Sequence, residues 1–171
     1  MKSDLRRGFL GGSVAAVLIL LGSTSNAADP PVTADVLSKL HESNQKEIQA
    51  GKMAEKNGQS KQVKDYGKML VKDHGAADKK VSALAKQETI ELPALASAAH
   101  EMSGMAADPS FDAKFAQEML EDHKKDIAEV TEARDNTKDA KLKKLLSEIL
   151  PTLQKHEDAA QKIVDAQATN K

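Results

Sequence analysis

The chain has 171 residues, with 25 Lys and Arg against 26 Asp and Glu, and no cysteine. Without thiols there is no disulfide framework, thiolate zinc site, iron–sulfur cluster or c-type haem attachment, and the near-neutral balance argues against a dedicated nucleic-acid binder, which carries a basic excess. Aromatic residues are 2% of the chain, too few for typical strands, so the composition favours helices lined by Ala and Leu.

Lys2, Arg6 and Arg7 make a basic start, Val14–Leu21 an apolar run, and Ser25-Asn26-Ala27 offers small residues where a signal peptidase reads. Residues 1–27 are therefore expected to be a cleaved signal peptide. The apolar run is far short of the roughly 20 residues a span needs, so no membrane span is expected after cleavage. Arg6-Arg7-Gly8-Phe9-Leu10 resembles a twin-arginine export signal, although Leu5 stands where Ser or Thr is usual. General secretory and twin-arginine export both stay open, and either leads to a periplasmic or secreted bacterial protein. The remaining segment, 28–171, carries a net charge of −3 and is long enough for one hydrophobic core.

After Asp29-Pro30-Pro31, a first helix is expected over 33–57, with Thr33 able to cap it and Gly58 as a left-handed stop. A second runs over 60–87 behind Ser60, a third over 110–137 and a fourth over 139–168. Pro93, Gly104 and Pro109 punctuate a crossover over 88–109. Each helix is roughly 35–45 Å long, and each carries an apolar stripe, such as Val63, Leu70, Val81 and Leu84, or Leu142, Leu145, Ile149 and Leu153. Links of about two residues make helices one and two, and three and four, antiparallel hairpins, and the crossover is long enough to run back along the bundle. The expected fold is all-α: a ferritin-like four-helix bundle of two hairpins. The hairpins also echo one another at an offset of 49 residues, pairing Tyr66 with Phe115 and Asp73-His74 with Asp122-His123.

The informative residues interrupt the stripes. At 100° per residue, His74 lies within about 40° of Val63, Leu70 and Val81, His123 of Met119, Ile127 and Val130, and His156 of Leu145, Ile149 and Ala160. Glu47 falls likewise among Val36, Leu40 and Ala54. All four lie near mid-height, so they are expected to meet. Three imidazoles and a carboxylate suit one divalent ion, Zn, Fe or Mn. The same residues also suit a metal-free network in which Glu47 accepts hydrogen bonds from histidines. Asp78 and Asp126 share the faces of His74 and His123 and are candidates to support them. Asp73 and Asp122 point about 100° away and could reach only a neighbouring helix. His41 is expected to be exposed, and His100 falls in the crossover. Haem is not expected, since little aromatic surface could line it. Gly51, Gly67 and Gly75 are expected to mark close helix approach, with room for a ligand beside His74 as the alternative. Pro151 removes a backbone donor one turn before His156 and should kink helix four.

Several segments together resemble a known family. They are Glu47–Ala54, Ser60, Val63–Gly67, Met69–His74, Phe111-Asp112, Met119–His123 and Leu150–His156, and they are similar to the exported bacterial family called domain of unknown function 4142. The resemblance spans nearly all of 28–171 in order and implies a ferritin-like bundle of unestablished activity. Di-iron members of the ferritin-like group need a Glu three residues before each ligand histidine. Here those positions hold Val71, Leu120 and Leu153, which argues against a carboxylate-bridged pair and leaves a single-metal site.

Three functions remain open on sequence. The first is metal handling, envelope stress or a small redox reaction at a Glu47, His74, His123 and His156 site. The second is a metal-free envelope protein that binds a protein partner or a second copy of itself. The third is His–Glu acid–base catalysis, which requires an open pocket at mid-height.

Overall fold

A computed structural model describes residues 33–94 and 109–169. The expected signal peptide and His100 lie outside the described residues. Four helices form: α1 (Thr33–Asn57), α2 (Lys61–Gln87), α3 (Phe111–Asn136) and α4 (Ala140–Thr169). Their bounds depart from the sequence reading by at most two residues. No helix among the described residues is long and apolar enough to cross a membrane.

Polar ties at both ends fix the topology. At one end the buried Asp112 of α3 accepts the backbone N–H of Gln59 (2.8 Å) and of Ser60 (2.7 Å) from the α1–α2 turn. At the other end Thr33, opening α1, donates its hydroxyl to Asp139 in the α3–α4 turn at 3.0 Å. There Lys141 of α4 also pairs at 2.6 Å with Glu88, just past α2. Hence α1 and α4 run one way and α2 and α3 the other, with α2 ending at the opposite end of the bundle from the start of α3. This is the ferritin-like arrangement, with α1 against α2, α3 against α4, α2 meeting α4, and α1 meeting α3 most sparsely.

Local chemistry sets the ends. Ser60 caps α2 by accepting the Val63 N–H at 3.2 Å. Asp139 caps α4 through the N–H groups of Lys141 (2.8 Å) and Leu142 (3.1 Å). Gly58 is not left-handed: no described glycine has positive φ. It is needed instead because a Cβ there would stand 2.6 Å from the Ala54 carbonyl oxygen. The left-handed residue is Thr89 (φ 56°), where the Ile90 N–H reaches back to the Ala85 carbonyl at 2.9 Å and closes α2. Helix α4 continues through Pro151.

The core has two halves. Toward the α1–α2 turn it holds Ala50, Ala54, Val63, Tyr66, Leu70, Phe111, Phe115 and Met119. Toward the α3–α4 turn it is aliphatic, built on Leu37, Val81, Leu142, Leu146, Ile149 and Leu153. Gly51 and Gly67 explain how α1 reaches α2: a Cβ on either would stand 2.6 Å from the other's carbonyl oxygen. Gly75 differs, since a Cβ there would meet nothing within 4 Å.

Candidate metal centre

Between the two apolar halves lies a polar layer. His74, His123 and His156 project into it from the middles of α2, α3 and α4, and all three are buried, His123 and His156 at 0% exposure. One ring nitrogen from each lies within 4.8 Å of the other two. The rings meet edge to face or tilted around one point, with centroids 5.0 Å apart for His74 and His156, 5.2 Å for His123 and His156, and 5.7 Å for His74 and His123.

The outer nitrogens fix which inner ones are free. His74 Nδ1–H donates to Asn44 Oδ1 at 2.9 Å. His123 Nδ1–H donates to the Met119 carbonyl at 2.8 Å. His156 Nε2–H donates to the Asp73 carboxylate at 3.2 Å. A neutral imidazole carries one N–H, so the inner nitrogens are lone pairs: Nε2 of His74, Nε2 of His123 and Nδ1 of His156. His156 Nδ1 lies 3.2 Å from each of the other two.

Neutrality follows from burial. Burial first, then the neighbouring rings, lowers the His74 pKa to about 2. Burial lowers His156 to about 4 against the opposing pull of Asp73, and His123 also falls, chiefly through burial. At pH 7 three lone pairs therefore converge with no proton between them. That is repulsive unless an electrophile sits at the centre. Ligands at about 2.0–2.1 Å from a tetrahedral ion stand roughly 3.3 Å apart, close to the two 3.2 Å spacings at His156 Nδ1, with the third pair within 4.8 Å. Outer acceptors on ring N–H groups are also what orient metal-binding histidines. The donor set and geometry fit one ion.

The other expected residues divide. Glu47 is buried, with Oε2 lacking a hydrogen-bond partner, but its carboxylate does not join the triangle. Burial, then Asp126, Asp122 and Glu118 of α3, push its pKa up to about 8. Asp78 turns to His41 Nδ1 (2.6 Å) and accepts from Gln45 (2.8 Å), and Asp126 accepts from Ser43 at 2.8 Å. No hydrogen bond joins either aspartate to a triangle histidine. His41 is not exposed as expected: its side chain is 14% accessible and held by Asp78. Asp73, placed by its angle to reach only a neighbouring helix, crosses to His156 of α4 and also pairs with Lys155 at 3.7 Å. Asn44 was missed. It follows Leu37 by seven residues, two helical turns, so it lies on the buried face of α1. Around the layer, Tyr66 donates to the His156 carbonyl at 3.2 Å, and burial raises the tyrosine pKa. Two pairs of the sequence echo touch: the rings of Tyr66 and Phe115 lie 6.1 Å apart, beside the His74–His123 pair.

No curated protein matches the chain. A solved structure, CopM in the Cu(I)-bound form, matches with a TM-score of 0.70 at 17% identity, over 80% of this chain and 98% of that one. This likeness shows the shared helical-bundle fold. The model of the family described as a domain of unknown function, DUF4142, matches residues 21–163, and the chain belongs to that family.

Proposed function

We propose that this is an exported metal-handling protein that binds one metal ion through His74, His123 and His156. The convergence of three neutral lone pairs, each ring anchored from outside, carries the reading. Imidazole suits copper, zinc, iron and nickel, whereas manganese prefers oxygen donors. Burying charge costs energy that rises with its square, so an uncharged, enclosed set favours a monovalent ion. Cuprous ion is therefore our first choice, and zinc and ferrous ions are the divalent alternatives. CopM, of the same fold, is a protein solved with Cu(I) bound. Glu47 is not counted as a ligand; it is a nearby acid whose proton a bound cation would help release.

One observation favours a metal-free rival. With Asp73 on its Nε2–H, His156 could hold a second proton on Nδ1 and share it with His74 and His123. The protein would then act through a partner, with the layer as structure.

Metal analysis separates the two. Protein purified without chelator and offered Cu(I), Zn(II) or Fe(II) should retain about one equivalent of the preferred ion, and His156→Ala and His123→Ala should lose it. A folded protein that retains no ion at stoichiometry would establish the network instead.

A further inference from the structure

We propose that the cleft between α1 and α3 is the route by which the ion reaches and leaves the histidine triangle, with Asp126 as the carboxylate that receives it on the way. The inference rests on the metal reading above.

His123 and His156 are sealed, whereas His74 borders a cavity of about 630 Å³ between α1 and α3. Exposed Glu129 and Glu132 stand at its outer end. Ser43 and Asp126 face one another across it, joined at 2.8 Å. Asn44 and His74 are its buried residues beside the triangle. Three carboxylates line the cleft against one ammonium, that of Lys39, and the rest of the wall is largely apolar. A low-dielectric cleft of one sign concentrates ions of the other.

A second observation, independent of the acidic wall, points to a ligand. Asn44 is 5% exposed, its Oδ1 holds the His74 ring, and its Nδ2 has no partner. An unpaired donor in a polar cavity is where a water or small ligand arriving with the ion is held. The volume suits an ion in a small complex as well as a bare ion.

Loading kinetics test the route. Cu(I), supplied as its acetonitrile complex, is mixed with metal-free protein. Unbound copper is trapped at intervals with bicinchoninate, which gives both rate and final content. Ala133→Trp, which plugs the cleft, should reach the wild-type content at least about tenfold more slowly, and Asp126→Asn should load about tenfold more slowly. Glu129→Gln with Glu132→Gln changes only exposed side chains, so the fold is not at risk. It should slow loading about threefold, and added salt should slow wild type more than this variant. Full content at the wild-type rate in Ala133→Trp and in the double variant overturns the route. An unchanged rate in Asp126→Asn alone removes Asp126 from it. Absence of bound copper in wild type overturns the metal reading itself.

Discussion

The two ends of the bundle solve the same packing problem differently. Near the α1–α2 turn, Gly51 and Gly67 bring two backbones together, and Phe111 and Phe115 stack with centroids 5.5 Å apart. Asp112 then pins the opposite hairpin. Near the α3–α4 turn, Leu and Ile side chains from α4 fill the centre. Between α1 and α3, Leu40, Val130 and Ala133 line a gap there. One end is closely packed, and the other is cleft down to a histidine. In the route proposed above, the packed end holds the rings in place and the cleft is the way in.

The largest expected effect lies at the closely packed end. Phe115→Ala should cost about 4 kcal/mol in urea unfolding, whereas Ala133→Leu in the cleft should cost less than about 1 kcal/mol. Equal losses would mean that the ends are packed alike.

Acid should act on the layer between them. The three histidines have folded pKa values below their unfolded ones. Below about pH 6.5 the unfolded chain therefore takes up protons that the folded one refuses, and stability falls with pH. Glu47, raised to about 8, works the other way between pH 8 and 4.5. Asp126 and Glu118, also raised by burial, add to the opposing side, so below pH 6.5 metal-free protein should lose about 1.4 kcal/mol per pH unit for each net proton taken up on unfolding. Chemical denaturation at stepped pH would show this. A flat profile would mean that the imidazoles are already charged in the fold.

Gly67→Ala places a methyl 2.6 Å from the Gly51 carbonyl oxygen and should cost about 1–3 kcal/mol. Gly75→Ala meets open space and should gain up to about 1 kcal/mol. Thermal melts of the two variants should move in opposite directions, and a shared sign would remove the distinction between a packed glycine and a free one.

Much of this was legible in the sequence because helices advertise their buried faces. The four spans, both hairpins and the inward histidines follow from a 3.6-residue period, and mid-height follows from counting residues to each turn. What failed was reach and distance. Angle alone put Glu47 among apolar residues, and it is buried, but angle does not give distance, and the group of converging ligand atoms holds the three histidines without its carboxylate. Asp73 points away from its own helix's stripe, so only the position of α4 reveals it as the partner of His156. His41 looked solvated until Asp78 on the next helix supplied its acceptor. Gly58 has the residue type of a left-handed stop, yet close packing accounts for it, and Thr89 takes the left-handed position without any sequence signal.

The polar layer also acts as a ruler. If α4 slid by one turn, Leu153 or Ala160 would face His74 and His123 in place of His156. The nitrogen triangle would lose its third corner, and Asp73 would face no ring. Apolar stripes tolerate such slippage, because one leucine can replace another. A band of three matched rings does not, so a protein whose core is mostly interchangeable hydrocarbon has a single alignment of its helices.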